Sequence, residues 1–147
     1  MAKLTYTVET SVEPERVLAA ARDFSERRLE LWPGIDPDVY RVHAQGDGWA
    51  EVTEGTASPG VWARERYEWS GNVVRCAIQE SNVYRPGGTW ELRAEPRSGG
   101  GSVATVSVHR RSYGLKGRMI GALVQLFGNR IGPKGFANTL AVLEREP

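Results

Sequence analysis

The stretch GLKGRMIGALVQLFGNRIGPKGFANTLAVL, residues 114–143, decides the fold. Within it Met119, Ile120, Leu123, Val124, Phe127 and Ile131 recur at helical spacing, whereas the chain from Asp38 to Arg111 reads as short β-rich runs divided by turn signals. One long terminal helix therefore closes a series of strands. Gly132-Pro133 is expected to interrupt that helix, because proline has no N–H for the carbonyl four residues back and crowds the residue before it. Phe136, Leu140 and Leu143 resume the apolar stripe beyond the kink.

Upstream, turn signals stand at Gln45-Gly-Asp-Gly48, Ser58-Pro-Gly60, Ser70-Gly-Asn72, Arg85-Pro-Gly-Gly88 and Arg97-Ser-Gly-Gly-Gly-Ser102. They divide the middle into six hairpin-linked strands near 38–45, 48–56, 61–69, 73–82, 88–95 and 102–111. The glycines 99–101 read as a flexible hairpin tip, not a phosphate loop. At the amino end Leu4, Tyr6 and Val8 alternate with Lys3, Thr5, Thr7 and Glu9, the period of a further strand with one buried face. Between this strand and the six lie two short helices. The first starts around Ser11-Val12-Glu13-Pro14-Glu15, with proline in the first turn and acids at the positive end of the dipole, and carries Val17, Leu18, Ala21 and Phe24. The second spans about 25–31, carries Leu29 and stops before Trp32-Pro33-Gly34.

At 147 residues the whole chain, 1–147, is expected to be one domain. Nineteen basic against eighteen acidic side chains leave a net charge of +1, so no general field draws in nucleic acid or an anionic membrane. Cys76 is the only cysteine, which excludes an internal disulfide, and the amino end lacks a secretory h-region. A cytoplasmic address is expected. The longest strongly apolar run, Ile120 to Phe127, is far below the roughly 20 residues a transmembrane helix needs.

The order strand, two short helices, six strands, long helix resembles the START-like (SRPBCC) superfamily, which includes polyketide cyclase/dehydrase and lipid-transport proteins and the birch-pollen allergen family. Trp32-Pro33 closing the helical elbow, Gly48-Trp-Ala-Glu-Val-Thr-Glu-Gly55 on a hairpin, Arg66-Tyr-Glu-Trp69 on the next strand and the glycine-broken last helix carry the likeness, which covers nearly the whole chain. It implies an α+β helix-grip fold: a seven-stranded antiparallel sheet curved round a long, kinked C-terminal helix. It also implies a ligand cavity between the two, here expected to be lined by Tyr6, Trp49, Tyr67, Trp69, Trp90, Leu92, Gly121, Val124, Phe127 and Gly128. None of these motifs is a catalytic signature.

Counted at about 100° per residue, Gly117, Gly121, Gly128 and Gly132 fall on one face of the last helix. Either they clear space for a ligand, or a strand or tryptophan ring packs tightly there. In the fourth strand the odd residues Val61, Ala63, Glu65, Tyr67 and Trp69 are the more apolar set, which turns Glu65 inward among apolar neighbours. An acid so placed must be paired or have its pKa raised. It serves as a general acid or base, or it pairs with an inward arginine or sits at the sheet rim. Cys76, on the apolar face of its strand, reads as packing, since a reactive thiolate needs a basic or helix-end neighbour. His43 and His109 have no His, Cys or acid at ligand spacing, so neither metal nor cofactor is expected. The even residues Ala104, Val106 and Val108 mark the core face of the last strand, which turns His109 outward unless a bulge intervenes. His109 and Tyr113 remain polar candidates at a cavity mouth.

The leading expectation is a noncatalytic carrier or sensor of an aromatic, polyketide-like or lipid-like molecule, acting as a monomer or homodimer. The runner-up is a polyketide cyclase, aromatase or dehydratase in which Glu65, Tyr67, His109 or Tyr113 positions and polarises a poly-β-keto chain. A third is a protein-interaction module, which a large exposed apolar patch or a stable dimer would favour.

Overall fold

Alternation of apolar and polar residues builds most of the molecule. The structure, a computed structural model, describes residues 2–146. In chain order its elements are β1 (Ala2–Thr10), α1 (Pro14–Ala21), α2 (Arg28–Leu31), β2 (Arg41–Gly46), β3 (Trp49–Thr56), β4 (Val61–Ser70), β5 (Val73–Ser81), β6 (Thr89–Pro96), β7 (Ser102–Arg110) and α3 (Gly114–Glu144). The strands form one antiparallel sheet in the order β1-β7-β6-β5-β4-β3-β2. β2 starts later than its sequence pattern indicates because residues 36–40 turn instead. Asp36 Oδ1 accepts from the Asp38 N–H, and the Asp36 carbonyl accepts from Val39 and Tyr40.

One face of the sheet is apolar. Ala50 and Val52 on β3, Ala63 and Tyr67 on β4, Val74, Cys76 and Ile78 on β5, Leu92 and Ala94 on β6, and Ala104 and Val106 on β7 are all buried. The other face is charged, with Glu51 taking Arg66 at 3.1 Å and Arg64 at 3.8 Å. Val17, Leu18, Ala20 and Ala21 of α1 pack on the apolar face with Phe24, Leu31, Phe136, Leu140 and Leu143. A smaller cluster of Ala63, Ile78, Val83, Tyr84 and Ile120 lies under the first half of α3.

Two expectations about α3 need correction. The helix continues through Pro133 instead of breaking there. Its neighbour Gly132 has no Cβ to meet the proline ring, which removes one of the clashes, while the Asn129 carbonyl loses the N–H it would have accepted and crowds the ring. The apolar stripe also does not all face the sheet. Gly117, Ile120 and Gly128 are buried before the proline and Phe136, Thr139, Leu140 and Leu143 after it, so the buried face rotates by roughly a quarter turn. Leu115, Met119, Leu123, Leu126, Phe127 and Ile131 are left exposed.

The glycine face of α3 is a contact face. A Cβ on Gly117 would lie 2.5 Å from the Val83 carbonyl oxygen, on Gly121 2.7 Å from Ser112 Oγ, on Gly128 3.0 Å from the Leu4 side chain, and on Gly132 2.6 Å from the Tyr6 ring. Gly135, in contrast, has nothing within 4 Å. Gly117→Ala should therefore cost about 1–3 kcal/mol, because a backbone oxygen must move. Gly135→Ala should gain up to about 1 kcal/mol from helix propensity alone. Urea unfolding of both variants checks the contrast, and equal stabilities would remove the close contact at Val83.

Candidate functional site

Where α3 turns its second half toward α1 and α2, a cavity of about 370 Å³ remains between it and the inner face of β3 and β4. Exposed Pro33, Gly34, Thr56, Gly135 and Asn138 rim it. Trp32, Ile35, Val61, Ala63, Tyr84 and Trp90 give it apolar walls. Trp32 is held by its Nε1–H, which donates to the Ala20 carbonyl at 3.0 Å, and by rings on both sides. Trp90 meets it edge-on at 6.1 Å, and Phe136 lies at 6.0 Å.

Two polar groups form the floor. The first is closed on itself. Arg28 donates from Nε to Glu54 Oε2 at 2.7 Å and from Nη2 to Glu54 Oε1 at 3.2 Å, while Nη1 reaches the carbonyls of Ala21 and Asp23 at 3.1 Å. Tyr67 donates its hydroxyl to Glu54 Oε1 at 2.6 Å and accepts from Arg28 Nη2 at 3.2 Å. The guanidinium lies 4.3 Å from the centre of the Phe24 ring. Burial disfavours its charge, but the Glu54 carboxylate outweighs burial and holds the pKa above the ordinary value. Removing one partner of such a pair strands the other, at about 3–5 kcal/mol.

The second group is open. Glu65, 6 % exposed, accepts a hydrogen bond from the Cys76 thiol at 2.7 Å on Oε2. Burial pushes its carboxyl above the usual range, and the nearby Arg110 guanidinium only partly opposes this. Burial likewise raises the Cys76 thiol, and Glu65 raises it further, so the sulfur stays protonated and unreactive. Arg110 lies with its guanidinium 5.1 Å from the centre of the Tyr84 ring. Its Nε is buried without a hydrogen-bond partner, as is Thr139 Oγ1 on α3. Among the described residues no group of three or more His, Cys, Asp or Glu side chains gathers where it could hold a metal ion.

Of the residues singled out by sequence, Glu65, Tyr67 and Trp90 line the cavity together. The others lie elsewhere. Trp49 is on the outer face, 4.6 Å from the Arg66 guanidinium, because β3 buries its even positions. Trp69 stacks on Phe24 at 5.9 Å, and Leu92 is fully buried in the core. Tyr6 packs on Gly132, and burial pushes its hydroxyl to about 12. Gly121 faces Ser112, and Gly128 faces Leu4 beside Val124. Phe127 is 43 % exposed. Exposed His109 points away from the cavity, and Tyr113 stands at the N-cap position of α3 while its hydroxyl donates to the Ser81 carbonyl at the end of β5.

Arg28, Glu54, Arg110 and Thr139 escaped the sequence reading. Three carried a signal: Glu54 shares parity with Ala50 and Val52, Arg110 with Ala104 and Val106, and Thr139 follows Phe136 by three residues on a helix. Arg28 had none, since a four-residue helix has no period to read. The buried acid gives a pH test. With the folded pKa of Glu65 above the unfolded one, the native state binds more protons, so this group's contribution to stability falls as pH rises through the interval between the two values. Glu65→Gln should thus stabilise the protein at neutral pH, with the gain vanishing below the ordinary glutamate pKa. Denaturation midpoints of the two proteins across pH decide it, and a gain that persists in acid would be inconsistent with the shift.

No family model matches the chain, and no curated protein matches it by sequence. Solved structures do match in shape. A protein of Thermus thermophilus superposes with a TM-score of 0.79 at 16% identity, covering 99% of both chains. A START superfamily protein from Mycobacterium smegmatis gives 0.75 at 13%, covering 97% of this chain and 99% of its own. The Zhui aromatase/cyclase from Streptomyces sp. R1128 gives 0.76 at 14%, covering 97% and 93%. What so low an identity and so full an overlap establish is architecture: this chain has the helix-grip fold shared by the START-like proteins.

Proposed function

We propose that the chain is a noncatalytic carrier or sensor holding an apolar, ring-bearing small molecule in the cavity between sheet and terminal helix. The observation that carries this reading is the composition of that space. About 370 Å³ is bounded by Trp32, Trp90, Val61, Ala63 and Tyr84, over a floor whose first polar group is satisfied internally. Small-molecule sites run from about 300 to 1,000 Å³ and combine apolar walls with few polar groups. Apolar contact supplies affinity at about 25 cal/mol per Å² removed from water. The likeness to a START superfamily protein and to an aromatase/cyclase supports a ligand-holding use of the fold.

Glu65 favours a second reading, a cyclase or dehydratase. A carboxyl whose burial favours its protonated form can give its proton to a substrate carbonyl oxygen while Arg110 stabilises the carboxylate left behind. Fold alone does not choose between the two.

A panel of neutral aromatic and acyl ligands should include members that bind with one-to-one stoichiometry and quench tryptophan emission through Trp32 and Trp90. No saturable binding across the panel would end the carrier reading. Incubation with a linear poly-β-keto thioester, followed by mass spectrometry, addresses the alternative. The carrier returns its ligand unchanged, whereas cyclisation by the parent protein and not by Glu65→Gln would make this an enzyme.

A further inference from the structure

Among the described residues, two buried polar side-chain atoms are left without partners, and both belong to residues that line the cavity, Arg110 from the sheet and Thr139 from α3. Arg110 is presented by the last residue of β7, where the inward parity of Ala104 and Val106 continues to the strand's end. Thr139 is 1 % exposed and comes from α3, one residue before buried Leu140. Both line the cavity, and Arg110 Nε and Thr139 Oγ1 are buried with no hydrogen bond. A guanidinium has donors only, and a hydroxyl can always offer one, so both atoms ask for an acceptor. The protein does not supply it. Glu54 is occupied by Arg28 and Tyr67, and Glu65, which takes the Cys76 thiol on Oε2 and favours the charge on Arg110 electrostatically, makes no hydrogen bond to Arg110 Nε.

Building on the carrier reading, we propose that the ligand is a hydrophobic carboxylic acid whose carboxylate sits between Arg110 and Thr139, one oxygen toward each wall, with its apolar body against Trp32 and Trp90. A carboxylate suits the pair because it offers two oxygens on one rigid plane, and Arg110 supplies the opposite charge. Arg28, by contrast, is neutralised and saturated, so it fixes the floor and takes no part in recognition. The ring of Tyr84 keeps the Arg110 guanidinium in place from the side.

Three probes of one shape separate the contributions: 2-naphthoate, 2-naphthamide and methyl 2-naphthoate, each titrated by tryptophan quenching. The parent protein should bind the acid about tenfold or more tightly than either neutral probe, as a charge-assisted hydrogen bond implies. Thr139→Val keeps shape and removes only an orphaned hydroxyl, so the unliganded variant should melt at or above the parent temperature. It should lose several-fold affinity for naphthoate and none for the ester. Arg110→Met should abolish the preference for the acid, and if that variant does not fold, Thr139→Val still decides. Equal binding of all three probes by the parent, or an acid preference that Thr139→Val leaves intact, would overturn the carboxylate assignment and leave the carrier standing. Failure of all three probes to bind would remove this inference, and the carrier reading would fall with it only if the wider aromatic and acyl panel also failed to bind.

Discussion

The closeness of the terminal helix to the edge of the sheet governs the rest of the architecture. At Gly128 and Gly132, α3 lies directly on the Leu4 and Tyr6 side chains of β1, and at Gly117 it lies on the carbonyl of Val83. Each glycine gives up helix propensity, about 1 kcal/mol relative to alanine, in return for a contact distance that no Cβ permits. With its axis held against β1, the helix is too far to one side to cover β3 and β4. The inner face of those strands is therefore covered mostly by Phe24, α2, the Trp32–Ile35 segment and the last turns of α3, and the cavity is the space that this arrangement leaves.

Within that space the two arginines illustrate opposite solutions to the same problem. A buried guanidinium is costly unless its five N–H groups find acceptors. Arg28 finds them in Glu54, Tyr67 and two carbonyls at the end of α1, and so ties the helical elbow to β3 and β4. Arg110 leaves its buried Nε unpaired, because its strand ends at the cavity and no acceptor of the protein reaches that atom. The first arrangement is finished without a ligand. The second is completed from outside.

How much of this was legible in the sequence follows from which periods are rigid. Strand parity is fixed by the pleat, so the inward set of β4, with Glu65 and Tyr67, followed from the pattern, as did the outward turn of His109. Extending the same rule along β3 and β7 gives Glu54 and Arg110. Trp49 escaped because its strand buries the alternate set. The helix was harder. A single stripe at 3.6 residues assumes one partner surface, but α3 rests on the Val83–Tyr84 segment near its start, on β1 at Gly128 and Gly132, and among the α1 core residues with its last turns, and Phe127 is left outside all three. The glycine row was visible, and its meaning was not, since a missing side chain looks the same beside a ligand as beside a tyrosine ring.

The pairing of β1 has a consequence for how the molecule comes into being. Strands β2 to β7 form a meander in which each joins its neighbour in sequence, with short loops to close. β1 is the exception: Tyr6 pairs opposite Val106, and the helix that covers it follows later still. Synthesis from the amino end thus releases an apolar strand whose register partner is about a hundred residues away and whose roof is made last. Non-local closures of this kind are entropically expensive and slow. The chain's first strand has no sheet partner until β7 is made, and the helix that lies on it is made after that, so the cavity beside that helix needs both ends of the described chain in place.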